Sequence, residues 1–350
     1  MTKLLAISDT YIPSALMQQG FGPLAELGVA VEVRSWEHPT LVDLQQANLA
    51  IEQGGPEAVP LPARLTIDAA DFDILCVQFA PLSRAVIESA TRLKVIGVLR
   101  GGTENVAVDA ATARGISVLN TPGRNARAVA ECTLGLILSE VRNIARGHAA
   151  LKAGRWTRDF LNRDVIPELN EKTVGLVGYG AVARLLAGYL HAMGSRIIAY
   201  DPFVSGETTP ADMVDLDTLM RQSDVISIHA RLSAETHHLI GERQLRLMKP
   251  TAVLVNTARS GLVDEPALIR VLQERRIMGA ALDVFDVEPL PPDHPLVQLD
   301  NVTIVPHIAG STLDAFLGSP KLLAGHLRRM LLGQQPLPVI NGVQPQLRAL

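Results

Sequence analysis

Short apolar runs rich in β-branched residues recur along the chain between longer stretches with helical spacing, at residues 4–8, 29–33, 74–78, 95–99 and 116–120. Runs that are apolar throughout, separated by helical patterns, predict a parallel sheet covered by helices on both faces. A second series begins at Val174 and continues through residues 197–200, 225–229, 252–256, 280–284 and 302–305. The pattern therefore predicts two doubly wound α/β units in succession. Thr121-Pro122-Gly123 is a turn signal between them, and residues 126–153 predict one long helix ending near Gly154. The first part of that helix, 126–146, is apolar enough to be either a core helix or a homodimer interface. Residues 309–312, Ala-Gly-Ser-Thr, predict a turn and a helix cap, and the helical pattern at 313–332 is not followed by another strand-rich unit. This last helix is expected to return to the first unit, giving boundaries of 1–121 with 312–350 for one domain and 122–311 for the other. The tail from Gly333 is expected to be irregular.

A length of 350 residues fits two domains, and 47% hydrophobic residues suffice to give each a core. Formal net charge is -4 and the pI about 6.1, with Lys and Arg spread along the chain, which argues against a nucleic-acid partner. Cys76 and Cys132 each lie in an apolar run and read as small hydrophobes, so neither a disulfide nor a metal site is expected. The N-terminal residues read as a first strand and not as a signal peptide, and no apolar run approaches the ~18 residues that span a bilayer. A cytoplasmic protein without a membrane partner is the expectation.

The sharpest chemical signal is Thr173-Val-Gly-Leu-Val-Gly178-Tyr179-Gly180-Ala-Val-Ala183, followed by a helical stretch and a strand ending at Asp201. Gly178 allows the tight turn, Gly180 lets a pyrophosphate approach the backbone, and the helix offers free N–H groups at its start. Asp201, 21 residues beyond Gly180, stands where a carboxylate accepts from ribose hydroxyls. Ala183 replaces the third glycine, which governs helix packing and not phosphate approach. The acid, followed by Pro202 and Phe203 with no nearby cation, favours NAD over NADP.

Ligands of open α/β sheets collect outside the C-terminal ends of the strands. Four such ends are rich in polar residues: Thr257-Ala-Arg259-Ser-Gly, Asp283-Val-Phe-Asp-Val-Glu288-Pro, Pro306-His307, and Arg100-Gly101-Gly102-Thr103. A nicotinamide enzyme working on a carbonyl needs a proton donor, and His307 suits that role if a carboxylate such as Glu288 holds its other ring nitrogen. Arg259 is suited to take a substrate carboxylate with its planar fork. Each has a plainer alternative, a salt bridge for the arginine and a turn for the Glu-Pro.

The segments Val-Gly-Leu-Val-Gly-Tyr-Gly-Ala-Val-Ala, Met-Lys-Pro-Thr-Ala-Val-Leu-Val-Asn-Thr-Ala-Arg-Ser-Gly, Gly-Ala-Ala-Leu-Asp-Val-Phe-Asp-Val-Glu-Pro-Leu and Asn-Val-Thr-Ile-Val-Pro-His-Ile-Ala-Gly-Ser-Thr resemble the D-2-hydroxyacid dehydrogenases. The resemblance runs from about residue 95 to 312. It implies a Rossmann NAD-binding domain inserted in a flavodoxin-like substrate domain, with the active site in the cleft between them, and usually a homodimer. It implies that Arg259 binds the substrate's carboxylate and 2-oxo group, that Glu288 raises the pKa of His307, and that His307 exchanges the proton. It places Gly178, Tyr179, Gly180, Ala181, Val182, Asp201, His229, Thr236, Thr257, Ala258, Asp283, His307 and Gly310 about the cofactor. Arg100, Gly101 and Gly102, with Arg259 and His307, are placed about the substrate, the two glycines offering backbone amides to its carboxylate.

Two departures from the family pattern stand out. Arg231 replaces a proline in the 229–236 segment, and the substrate loop reads Leu99-Arg-Gly-Gly-Thr-Glu-Asn105, with an extra cation. Arg100, with Arg124 or Arg231, is expected to meet a second anionic or polyhydroxylated part of the substrate, such as a sugar acid or phosphorylated acid, unless it is salt-bridged. The leading expectation is an NAD-dependent oxidoreductase interconverting a 2-oxo acid and a D-2-hydroxy acid. The alternatives are an NAD(H)-sensing, corepressor-like binding protein of the same fold, and oxidation of a one-carbon acid.

Overall fold

The computed structural model describes residues 1–165, 167–206 and 208–348. The chain forms two compact units, Met1–Arg124 with Leu313–Leu350, and Asn125–Thr312. The first unit runs β1 (Thr2–Ser8), α1 (Ser14–Phe21), β2 (Val29–Ser35), α2 (Leu41–Gly54), β3 (Ile74–Val77), α3 (Arg84–Ser89), β4 (Val95–Val98), α4 (Val108–Ala113) and β5 (Ser117–Leu119). The second runs α5 (Ala126–Val141), α6 (Ile144–Lys152), β6 (Thr173–Val177), α7 (Ala181–Ala192), β7 (Arg196–Tyr200), β8 (Ala211–Met213), α8 (Leu216–Gln222) and β9 (Val225–Ile228). It continues with α9 (Glu242–Leu247), β10 (Val253–Asn256), α10 (Glu265–Gln273), β11 (Gly279–Leu282), α11 (Pro295–Gln298) and β12 (Val302–Ile304), after which α12 (Leu313–Leu331) rejoins the first unit.

Both sheets are parallel throughout. The first has the order β2-β1-β3-β4-β5, the flavodoxin-like arrangement, and the second β12-β11-β10-β9-β6-β7-β8, the doubly wound dinucleotide-binding order with one further strand. The strands β3, β4, β6 (save its first residue), β9, β10 and β11 are buried along their whole length, which is why they read as largely apolar runs, with Ser227 in β9 and Asn256 ending β10. In the first unit α12 contributes Phe316, Leu323, Leu327 and Met330 to the core, and its Pro320 lies so close to Gly20 of α1 that a Cβ there would meet it at 2.3 Å.

Two expectations need correction. The long helix at 126–153 is broken at Asn143, which takes a left-handed φ of 57°. Asparagine tolerates that conformation, and the break is fixed from both sides: Asn143 Nδ2 donates to Asn162 Oδ1, while Arg146 reaches back to the carbonyl and buried carboxylate of Glu140. Strand β8 was not anticipated, because Ala-Asp-Met at a sheet edge buries too little to form an apolar run. The tail beyond Gly333 has no helix or strand as far as residue 348, but it lies along β5: Ile340 N–H donates to the Val118 carbonyl, and Val118 N–H donates to Asn341 Oδ1. Among the described residues no helix is long and apolar enough to cross a membrane, and no cluster of three His, Cys, Asp or Glu side chains is arranged to hold a metal ion.

Candidate active site

At the end of β6 the chain turns at Gly178 with φ 87°, and a Cβ there would lie 2.6 Å from Ala230 N, so both conformation and space demand glycine. Gly180, which precedes α7, has ordinary dihedrals and nothing within 4 Å of where a Cβ would stand. The protein's own packing gives no reason for a glycine at that position; a close-approaching ligand does. No side chain caps α7, so the first-turn N–H groups around Ala181 and Val182 face outward as an anion site. Ala183, fully buried, packs the helix on the sheet.

Asp201 follows β7 and accepts one backbone N–H at each oxygen, Tyr179 at Oδ2 (2.9 Å) and Phe203 at Oδ1 (2.9 Å). Each oxygen keeps a lone pair for a ribose hydroxyl. The Tyr179 ring itself is buried, with its hydroxyl donating to the Thr208 carbonyl (3.0 Å), so only its backbone belongs to the turn. These residues fit a dinucleotide carrying a pyrophosphate and a free 2′-hydroxyl.

Beyond β11, β10 and β12 stand the three polar groups singled out from sequence. Glu288 Oε2 lies 2.8 Å from His307 Nδ1, and Glu288 Oε1 accepts the Phe285 N–H (3.0 Å). The hydrogen bond to Glu288, reinforced by its charge and that of Asp283, holds the His307 imidazole above the ordinary histidine range. Burial acts to raise Glu288, but the His307 hydrogen bond and the Phe285 N–H outweigh it, and the carboxyl titrates below its usual range. The His307 side chain is 45% exposed, and its Nε2 has no hydrogen-bond partner among the described residues. Arg259 is exposed, donates only to its neighbouring Ala258 carbonyl, and forms no ion pair with any described residue. Its charge acts on both Glu288 and His307, so the three stand together.

The other site residues divide. Asp283, whose pKa burial raises, accepts Ile308 N–H (2.6 Å) and Ala309 N–H (3.0 Å) and thereby clamps the loop that holds His307 at φ 52°. Thr257 shares its hydroxyl with Thr133 (2.7 Å), and Asn256 braces the 257–259 turn through Ala258 N–H and the Arg259 carbonyl. His229, driven down to about 4 by burial, is neutral and paired with Ser227 Oγ (2.9 Å). Thr236 uses its hydroxyl inside its own loop, donating to the Arg231 carbonyl and accepting from Ser233 N–H, while Arg231 is exposed. Gly310 abuts Asn125, whose Nδ2 would lie 2.3 Å from a Cβ. Asn256 gave no separate signal in the sequence, since an Asn at a strand end reads as a turn residue, and the resemblance placed Asp283 near the cofactor without showing that it clamps the His307 loop.

In the first unit, the Gly101 and Gly102 backbone N–H groups bond to no described residue, while the Gly101 carbonyl accepts from Asn120. Arg100 is buried and engaged: it donates to Asn48 Oδ1 (2.8 Å) and pairs with Glu52 (2.5 Å) and Glu104 (3.3 Å). The salt-bridged alternative therefore describes Arg100 in this structure, with Glu52 and Glu104 as its partners.

A glycine turn opening onto a free helix start, an acid at the next strand end, and a carboxylate-held imidazole beside an unpaired guanidinium define a dinucleotide-dependent oxidoreductase. Residues 134–309 match the model of the family described as D-isomer specific 2-hydroxyacid dehydrogenase, NAD binding domain. The chain is 42% identical over 276 residues to a glyoxylate reductase of Thermofilum pendens, covering 77% of this chain and 80% of that protein. It is 41% identical over 276 residues to a D-3-phosphoglycerate dehydrogenase of Methanocaldococcus jannaschii, covering 77% of this chain but only 52% of that longer protein. The NAD-complexed D-isomer specific 2-hydroxyacid dehydrogenase of Lactobacillus delbrueckii shares the fold, with a TM-score of 0.77 at 24% identity over 97% of this chain and all of the other. The chain belongs to the D-isomer specific 2-hydroxyacid dehydrogenases, and is an NAD-dependent oxidoreductase acting on CH–OH donors.

Proposed function

We propose that Arg259, Glu288 and His307 are the catalytic residues of a reductase for small 2-oxo acids, of which glyoxylate and hydroxypyruvate are the simplest. The observation that carries this reading is the 2.8 Å contact between His307 Nδ1 and Glu288 Oε2, with Arg259 unpaired beside them. Arg259 takes the substrate carboxylate on its two-pronged face and polarises the neighbouring carbonyl. NADH, when bound, would supply the hydride for C2. His307, charged, gives its Nε2 proton to the 2-oxo oxygen as that oxygen gains negative charge, and Glu288 stabilises the imidazolium until then. In the direction of oxidation neutral His307 accepts the hydroxyl proton instead. Gly178 to Val182 would hold the cofactor's pyrophosphate on their turn, and Asp201 would accept from its ribose hydroxyls.

The test is loss of NADH absorbance with a panel of 2-oxo acids (glyoxylate, hydroxypyruvate, pyruvate, phosphohydroxypyruvate and sugar-derived acids) against His307→Ala. Turnover that vanishes in the variant supports the assignment; equal turnover by the variant removes it.

We also propose that the protein works as a homodimer in the cytoplasm. Ile144 and Leu151 of α6 and Trp156 just beyond it are 58%, 56% and 86% exposed, beside a groove lined by Leu161 and Leu299 together with charged residues such as Arg155, Asp159 and Asp300. Exposed apolar side chains so close in sequence favour a covering partner, and a second copy supplies it. Both cysteines are free, in keeping with a reducing compartment.

A further inference from the structure

Glu288 lies in a loop that a single buried side chain holds at both ends. The carboxylate of Glu265, the first residue of α10, accepts the Asp286 N–H at Oε2 (3.2 Å), and its Oε1 lies 3.4 Å from His294 Nε2. Asp286 and His294 bracket residues 287–293, so Glu265 pins the two ends of the segment that carries Glu288. The Phe285 N–H, one residue before the first of these contacts, goes to Glu288 itself (3.0 Å).

The His294 ring is oriented for its contact. Leu296 N–H donates to Nδ1 (3.3 Å), which leaves the ring proton on Nε2, the atom that faces Glu265. The pair is enclosed, with side chains 10% exposed for Glu265 and 15% for His294. Burial pushes the Glu265 carboxyl up, against the Asp286 N–H, and the charges of Asp286 and His294 act on it in opposite directions. Burying a carboxylate is costly, and α10 has no need of this one. Asp264 already caps the helix by accepting Ala267 N–H (2.9 Å), and Ala267, Leu268, Val271 and Leu272 bury its inner face. Helix α10 is therefore a fixed base, and its buried carboxylate serves the loop opposite.

We propose that Glu265, together with His294, is a positioning residue that sets Glu288 against His307 Nδ1, acting through Glu288 and not on the substrate. This rests on the reductase reading above and adds a residue behind its carboxylate. A displacement of the loop by about 1 Å would open the 2.8 Å contact with His307 to about 3.8 Å, outside hydrogen-bond range. The charges facing His307 are Glu288 and Asp283, which favour the imidazolium, and Arg259, which opposes it. Displacing Glu288 therefore lowers the pH at which the ring titrates.

The test is NMR titration of labelled histidine in the full-length, cofactor-free protein, with the His307 signal assigned from His307→Ala, alongside NADH binding and NADH oxidation with the most active 2-oxo acid. Glu265→Ala and His294→Ala should each lower the pH at which His307 titrates by about half a pH unit or more. Each should also reduce kcat about tenfold or more while leaving NADH affinity unchanged. Glu265→Gln keeps one acceptor for the loop and should recover part of both losses. If either alanine variant fails to bind NADH, Glu265→Gln carries the test, and a His307 titration between wild type and Glu288→Gln supports the proposal. A wild-type His307 titration in the Glu265 and His294 variants, with Glu288→Gln moving it, overturns the positioning role and leaves the reductase reading standing. A titration that Glu288→Gln also fails to move overturns both.

Discussion

Gly178 and Gly180 sit two residues apart in one turn, yet replacing each by alanine should damage different properties. Gly178→Ala forces a Cβ residue to φ 87° and sets that Cβ 2.6 Å from the Ala230 backbone. The left-handed conformation costs about 1–2 kcal/mol and the overpacking about 1–3 kcal/mol more, together roughly 2–5 kcal/mol. At about 2–4 °C per kcal/mol for a unit of this size, Tm should fall by roughly 4–20 °C. Gly180→Ala meets nothing within 4 Å, and its cost is confined to a poorer helix start, below about 1 kcal/mol. Its methyl, however, occupies the space a pyrophosphate must enter, and NADH should bind at least about tenfold more weakly, a loss of about 1.4 kcal/mol. Thermal unfolding without cofactor and fluorescence titration with NADH separate the two effects. Gly180→Ala binding NADH with wild-type affinity, or losing as much Tm as Gly178→Ala, would refute the argument that the open space at Gly180 belongs to the cofactor.

Three further outcomes follow from the site. His307 is held above its ordinary pKa chiefly by Glu288, so reductive kcat/KM, which needs the imidazolium, should be full at low pH and fall as pH rises through that raised value; Glu288→Gln should move the fall to lower pH and reduce turnover at pH 7.5 about 10²-fold, and a limb that stays in place counts against the pairing. The Asp201 carboxylate would repel a 2′-phosphate, so wild-type protein should favour NADH over NADPH in kcat/KM and Asp201→Ala should narrow the gap; equal efficiency of the wild type with both cofactors removes this assignment. Trp156→Glu should convert a dimer to a monomer in sedimentation velocity, and an unchanged assembly, or a monomeric wild type, places the interface elsewhere or nowhere.

Much of this fold was legible because its strands are buried on both faces: runs such as 74–78 and 95–99 have no polar alternation to confuse them, and the structure trims each by only a residue. The turn at Gly178 and the acid at Asp201 were legible because pyrophosphate and ribose impose residue types at fixed spacing. What escaped were features decided by tertiary partners. The break at Asn143 depends on Asn162 and on Glu140 with Arg146, none of which alters helical periodicity. Arg100 looked available because nothing in its own segment announces Glu52, 48 residues earlier, as its partner.

The return of α12 to the first unit has a consequence for synthesis. Phe316, Leu323, Ala324, Leu327, Met330 and Leu331 belong to the core built on β1 to β5, but they leave the ribosome after the whole of the second unit. Residues 125–312 are contiguous and can close their own core while translation continues; the segment that ends at Arg124 cannot. From residue 124 to the end of α12 at residue 331 are 207 residues, roughly 10–40 s at about 5–20 residues per second. For that interval the apolar face of α1 around Met17 and Gly20 has no covering helix, so the nascent chain is most vulnerable to aggregation in its earliest-made part, and a chain stopped before residue 313 keeps an intact cofactor unit beside an unfinished neighbour.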